Sequence, residues 1–401
     1  MKTPAMEGGN PVRNTKIFYG HQYIDEADIK AVCNVLQSDA LTCGPKIAEL
    51  EEKLCELTGA KYAVVCSNGT AALHMACMAA GVSAGDEVIT TPITFAASAN
   101  CALYCGAKPI FADINERTYN LDAAEVEKKI TPASRAVVAV DYTGQAVELD
   151  RFQKLCREHG LVLIEDAAHS IGTSYKGKMI GSIADMTTFS FHPVKTVTGG
   201  EGGAVLTNRE DYYQKLLLFR AHGITRDEKQ LEHAPHGSWY YEQTALSTNY
   251  RMTDIQAALI CSQLEKLERF SRRRKEIVAR YDEAFSKIPQ LIVQEEIPES
   301  DTTRHLYILR IRPEQLKIDR KHFYDAMTAE NIQCNVHYIP VYWHPYYEHL
   351  GYKRGECPKA EKLYEEMMSL PLYYSMTDED VENVIEAVQK IAAFYAKSNT
   401  P

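Results

Sequence analysis

Between residues 62 and 207 the chain alternates short apolar runs with stretches of helical periodicity, and this alternation constrains the fold most. Runs at 62–66, 87–90, 109–112, 136–140, 161–165, 187–191 and 203–207 have the length and apolar content of buried strands. Helical stretches at 71–80, 96–104 and 149–159 fall between them. Parallel strands need a crossover, usually a helix, and the crossovers cover both faces of the sheet. The expected class is therefore α/β, with a mostly parallel central sheet and helices on both faces.

Ahead of this region, Asp25 is placed to cap a helix showing Ile29, Val32, Cys33 and Leu36 on one face. A second helix shows Ile47, Leu50, Leu54 and Leu57. From Thr253 the texture changes. Thr253 and Gln256 have capping-box spacing and open one long helix through Ile255, Leu259, Leu264, Leu267, Phe270 and Ile277, fading before Pro289. Its basic run, Arg272 to Lys275, reads as a solvated face. A strand at 305–311, a helix at 320–330, a strand at 334–338 and a last helix at 378–396 follow, which is the pattern of a smaller α+β domain. The expected division is a large domain at 1–265, with 1–15 a loose extension, and a small domain at 266–401.

Bulk properties exclude several classes. The formal charge of -10 argues against nucleic acid, whose phosphates demand concentrated Lys and Arg. The 11 cysteines include no Cys-x-x-Cys pair and read as reduced thiols. Cys101 and Cys105 lie one helical turn apart without further ligands, and His233 and His236 lack acidic or cysteine partners, so no metal is expected. Residues 1–14 carry no apolar core of a signal peptide, and no apolar run approaches a membrane span. A cytoplasmic protein is expected.

The chemistry concentrates in two places. Asp166 ends the apolar run at 161–165, where open α/β sheets bind ligands. Lys195 follows Phe189-Ser190-Phe191-His192-Pro193-Val194, just ahead of a glycine-rich loop. A lysine that forms a Schiff base and an acid that keeps a ring nitrogen protonated are what pyridoxal 5'-phosphate (PLP) chemistry requires. Singly, Asp166 also reads as a helix cap and Lys195 as a surface lysine. Ser67-Asn68-Gly69-Thr70 joins a strand to a helix, a ready anion site, though also an ordinary capped turn. Ser190 faces away from the two phenylalanines and can donate to a phosphate. Phe95 can stack on a planar ring or serve as core. His169 can orient Asp166 or sit against the cofactor, and His192 reads as a loop support.

Together these residues match a family pattern. Ser67-Asn68-Gly69-Thr70-Ala71-Ala72-Leu73, Thr94-Phe95, Glu165-Asp166-Ala167-Ala168-His169, Phe189 to Lys195, Gly200-Glu201-Gly202-Gly203 and Asn249-Tyr250-Arg251-Met252-Thr253-Asp254 resemble the motifs of the DegT/DnrJ/EryC/StrS sugar aminotransferases. The resemblance runs from Tyr19 to the last helix. It implies the type I, aspartate-aminotransferase-like PLP fold. It implies that Lys195 binds the cofactor, Asp166 meets its ring nitrogen, and Gly69, Thr70 and Ser190 hold its phosphate. Phe95 would stack on the ring beside His169, and Asn249 would reach the phosphate of a neighbouring subunit in a homodimer with shared sites. Tyr19, Asp39, Ala40, Leu41, Thr42, Asn68, His337, Tyr338, Ile339 and Pro340 match positions that contact a nucleotide sugar.

Further similarity at 22–25, 41–45, 239–243 and 337–342 implies a UDP-linked 4-keto-6-deoxy-N-acetylhexosamine as acceptor and L-glutamate as donor. Another keto nucleotide sugar, of the UDP-bacillosamine or dTDP-amino-sugar type, and a non-catalytic PLP-binding regulator are the alternatives. Two positions depart from the pattern: Asn68 replaces the usual serine and Gly199 a threonine.

Overall fold

The computed structural model describes residues 2–397; Met1 and 398–401, assigned above to the extension and the small domain, lie outside the described residues. Seven strands form the central sheet: β1 (Tyr62–Cys66), β2 (Glu87–Thr90), β3 (Lys108–Phe111), β4 (Ser134–Val140), β5 (Val162–Asp166), β6 (Met186–Ser190) and β7 (Gly203–Thr207). Their order is β1-β7-β6-β5-β4-β2-β3. All neighbours run parallel except around β7, which is antiparallel to both β1 and β6.

Helices α1 (Glu26–Leu36), α2 (Pro45–Thr58), α3 (Gly69–Ala79), α4 (Ala97–Tyr104), α5 (Leu149–His159) and α6 (Glu210–Arg220) accompany the sheet. Two apolar clusters flank it. One joins Leu50, Leu54, Phe152 and Ile260; the other joins Leu73, Met75, Cys101 and Leu216. The mixed α/β fold with a mostly parallel sheet is as expected. Asp25 caps α1 in a box closed by Asp28, and the Thr253–Gln256 box is also present.

Four expectations are corrected. The long helix after Thr253 is two helices, α7 (Asp254–Leu264) and α8 (Leu267–Phe285). The break at Glu265–Lys266 lets Lys266 turn its ammonium to Asp25 and, at 2.7 Å, to the buried Asp28. The basic run on α8 is not wholly solvated, since Arg274 is buried.

The strand expected at 334–338 is absent. Asn335 makes one bridge to Ser369 and the chain then leaves the sheet. The second sheet is instead β8 (Leu291–Val293), β9 (Tyr307–Ile311) and β10 (Met367–Leu370), all antiparallel, packed with α9 (Arg320–Ala329) and α10 (Asp378–Phe394).

The N-terminal segment is not loose. Ala5 and Val12 donate their backbone N–H groups to the buried Glu330 carboxylate, each at 2.8 Å, and Ile17 enters the core of this second unit.

Candidate active site

The carboxyl ends of β5 and β6 open into a cavity of about 910 Å³. Asp166 is the last residue of β5. It is buried, and its carboxylate is held on both oxygens: Ser98 Oγ donates to Oδ2 at 2.6 Å and the Ala168 N–H donates to Oδ1 at 3.2 Å. Lys195 lies five residues past β6, half-buried, on the same cavity wall. The buried Phe189 and Phe191 anchor this crossing on one side, and Ser190 turns to the cavity between them.

The electrostatics of this pair are unbalanced. Burial pulls the Lys195 pKa down to about 8, and the Asp166 charge pulls the other way. Burial pushes the Asp166 carboxyl up, while the Ser98 hydroxyl, the Ala168 amide and Lys195 draw it down. Burial thus leaves the amine easier to deprotonate than an ordinary lysine and the acid harder to ionise. A cationic ring nitrogen against Asp166 and an aldehyde at Lys195 would suit both groups.

Gly69 and Thr70 start α3, and Asn68 caps it, accepting from the Ala71 N–H at 2.8 Å. A Cβ at Gly69 would lie 2.9 Å from the Ser190 Cβ and 3.1 Å from its Oγ, so the bare backbone leaves a small cradle between helix terminus and hydroxyl. Such a terminus, with free N–H groups and a hydroxyl on each side, suits a phosphate. Phe95 exposes 63% of its surface along this cavity, a high value for an aromatic beside the core. These residues fit PLP.

His169 is buried behind Asp166. Its Nε2 pairs with the Tyr338 hydroxyl at 3.2 Å, and burial drives its pKa well below the usual histidine range. Tyr19, Asn68, His337 and Tyr338 also line the cavity. His337 shares a hydrogen bond with Ser369 Oγ at 2.8 Å, and burial lowers its pKa to about 4.

The remaining expected residues are not brought to this cavity. Asp39, Ala40, Leu41 and Thr42 lie outside its lining; Thr42 bridges to Thr253, and the Leu41 carbonyl accepts from the Asp254 N–H. Ile339 is exposed and Pro340 buried, both outside the lining. Asn249 is exposed and bridges to Ala221, away from its own chain's cavity. His192, expected as a loop support, lines the cavity. His233 is exposed, but it does have an acidic partner: Glu242 lies 3.0 Å away, since the tight Ile224–Thr225 and Glu242–Gln243 pairing folds the loop back on itself. No metal-holding cluster is found among the described residues.

Ser98 and His305 also belong to the cavity and were not foreseen. Ser98 had a signal, because Thr94 and Ser98 stand one helical turn apart after a strand end, and their hydroxyls meet at 2.7 Å. His305 enters from the second unit and had none.

Fold and site together define a PLP-dependent nucleotide-sugar aminotransferase. Residues 22–389 match the DegT/DnrJ/EryC1/StrS aminotransferase family, and the chain belongs to that family. It is 41% identical to the spore coat polysaccharide biosynthesis protein SpsC of Bacillus subtilis, over 94% of this chain and 98% of that one. It is 37% identical to the UDP-4-amino-4,6-dideoxy-N-acetyl-beta-L-altrosamine transaminase of Campylobacter jejuni, over 94% and 97%. The solved structure of Helicobacter pylori PseC, an aminotransferase of pseudaminic acid biosynthesis, superposes with a TM-score of 0.87 at 32% identity, covering 95% of this chain and all of that one.

Proposed function

We propose that the chain transfers an amino group from L-glutamate to the 4-keto carbon of a UDP-linked 4-keto-6-deoxy-N-acetylhexosamine. The product would be UDP-4-amino-4,6-dideoxy-N-acetyl-beta-L-altrosamine, a precursor of pseudaminic acid. The observation that carries the chemistry is Lys195 and Asp166 on one cavity wall, each with its ionisation shifted by burial. The sugar is argued from likeness to the Campylobacter and Helicobacter proteins.

PLP, when bound, supplies an aldehyde that condenses with amines and a ring that accepts electrons. The residues do the rest. Lys195 Nζ would hold the cofactor at rest and, when free, would serve as the base and acid that moves the proton of the donor's α-carbon. Asp166 holds a proton on the ring nitrogen. Gly69, Thr70 and Ser190 would hold the phosphate, Phe95 would pack on the ring, and His169 would help position it beside Asp166.

Tyr19, Asn68, His337 and Tyr338 are the proposed sugar contacts from the same chain. Asp39 to Thr42 and Asn249, which lie off this cavity, are assigned to a homodimer in which each subunit completes the other's site; Ile339 and the buried Pro340 are not retained as sugar contacts. The proposed setting is the cytoplasm; no helix among the described residues is long and apolar enough to cross a membrane.

Identity to SpsC at 41% favours a second reading, a different keto nucleotide sugar on the same machinery. The test is mass spectrometry of products from L-glutamate and a panel of UDP- and dTDP-keto sugars. The first reading expects turnover of the UDP-4-keto-N-acetylhexosamine; amination of a dTDP sugar alone would replace it with the second. Turnover by Lys195→Ala would remove both.

A further inference from the structure

Asp166 is not alone at this end of the sheet. In the β4–β5 ladder Val140 stands opposite Asp166 and Ala139 opposite Glu165, and the Asp141 N–H donates to the Asp166 carbonyl at 3.1 Å. Side chains alternate between the faces of a sheet. Val140 and Asp166 therefore face the cavity, with Lys195 and His169, while Glu165 and Asp141 share the opposite face. Both of these acids are fully buried.

Their carboxyl groups come within hydrogen-bonding reach of each other. Two ionised carboxylates offer only acceptors, and such a pair out of water does not ionise twice. Besides burial and each other, the groups that act on them most are the Ser170 and Thr187 hydroxyls, the Val147 amide and Asp166. No cation is among these. One proton has to lie between the two acids.

Counting donors shows which acid carries it. Asp141 accepts on both oxygens, from the Val147 N–H at 3.0 Å and from Ser170 Oγ at 2.6 Å. Glu165 accepts from Thr187 Oγ1 at 2.8 Å on Oε2, and its buried Oε1 has no donor. Once protonated, that oxygen donates to Asp141 and gives the carboxylate a third hydrogen bond. Burial pushes both carboxyls up, Glu165 well above the usual carboxylate range.

We propose that Glu165 carries a proton which it shares with Asp141, and that Asp141, so braced, is a positioning residue for Asp166. Its role toward the cofactor rests on the aminotransferase reading above. Through Ser170, Asp141 pins the loop whose Ala168 N–H donates to Asp166; through Val147 it pins the turn after β4. The shared proton lets two acids brace the strand ends while adding one buried charge instead of two.

Three measurements on the full chain, free of cofactor, test this. Infrared spectra at neutral pH should show the C=O stretch of a protonated carboxylic acid, lost in Glu165→Gln and kept in Asp166→Asn. Urea unfolding should reveal the proton taken up on folding. An unfolded glutamate ionises near about 4.3, and the folded Glu165 keeps its proton. Wild type therefore loses stability, relative to Glu165→Gln, as pH rises above that value. The ratio of folding constants, variant over wild type, should rise about tenfold per unit between about pH 5 and pH 7. A side chain with only a packing role would give a flat ratio. In PLP titration, Glu165→Gln should bind within about threefold of wild type, because its amide N–H replaces the acid O–H, and Glu165→Leu at least about tenfold more weakly. If Glu165→Leu does not fold, the band and the ratio in Glu165→Gln decide. An unchanged band in Glu165→Gln, or a flat ratio, overturns the shared proton; wild-type affinity in Glu165→Leu overturns the positioning role. Wild type that binds no PLP overturns the aminotransferase reading, while the band and the ratio still decide the proton.

Discussion

Ser98 donates to Asp166 at 2.6 Å, and Thr94 stands 2.7 Å behind Ser98. A serine has one hydrogen to give. Since Ser98 spends it on the carboxylate, Thr94 must donate to Ser98, and the chain of hydroxyls has one direction. It aims the start of α4 at the end of β5 and supports the ionised acid.

Ser98→Ala is therefore expected to weaken cofactor affinity. A hydrogen bond to a charged group contributes about 1.5–3 kcal/mol, or roughly 10- to 100-fold in binding. Thr94→Val should cost less, because Ser98 keeps its own bond to Asp166. Titration of cofactor-free protein with PLP measures both; equal affinity in wild type and Ser98→Ala would show that the acid needs no such support.

The depressed Lys195 pKa has a kinetic signature. At about 8, half of its amines are neutral at pH 8, whereas an ordinary lysine near 10.4 is less than about 1% neutral there. Neutral amine is the nucleophile, so the rate of PLP capture by cofactor-free protein should rise through pH 8 and level off above it. Asp166 is the group that raises this pKa against burial. Asp166→Asn should therefore move the midpoint lower, and a higher midpoint would contradict the assignment.

Much of this was legible in the sequence because it is local. The alternation that predicts the parallel sheet is written along the chain, and Asp166 ends one clear apolar strand while Lys195 follows another. The misreadings lie where tertiary contacts decide. Residues 334–338 alternate Cys334, Val336 and Tyr338 like a strand, yet only Asn335 pairs, with Ser369; the chain then turns to bring His337 and Tyr338 to the cavity. Met367–Leu370 is a strand that continues directly from the helix Pro358–Glu366, with no breaker between them to mark the change. Arg274 hides in a basic run whose neighbours, Arg272, Arg273 and Lys275, all pair with acids. No spacing rule separates the arginine held by carbonyls alone from the rest.

The glycines of the phosphate cradle differ in how far a methyl would disturb the fold. Gly69→Ala places a methyl 2.9 Å from the Ser190 Cβ, inside the cradle and 3.5 Å from the Ser190 Cα. It should weaken PLP binding at least about tenfold and lower stability modestly, since the Ser190 Cβ is fixed to β6 and must shift. Gly203→Ala would put a methyl 2.3 Å from the Asn68 carbonyl oxygen, pressing β7 against the loop that forms the cradle. That change should lower both affinity and melting temperature. PLP titration alongside thermal melts of the cofactor-free proteins distinguishes the two patterns.

The last prediction concerns a carboxylate far from the chemistry. Glu330 is fully buried and accepts from the N–H groups of Ala5 and Val12, each at 2.8 Å, while the Lys390 ammonium lies 2.9 Å away and also donates to the Asn10 carbonyl at 2.7 Å. One acid thus binds the N-terminal segment to α10. Removing it leaves a buried ammonium and two amides without their acceptor, which typically costs 3–5 kcal/mol, about the loss expected for Glu330→Ala. Glu330→Gln keeps one acceptor oxygen and should cost less. Removal of residues 2–14 should also destabilise, since it deprives Glu330 of both amides and Lys390 of Asn10. The urea midpoint should fall in that order of severity with an unchanged slope, and a midpoint for Glu330→Ala equal to wild type would mean that the segment contributes nothing to the fold.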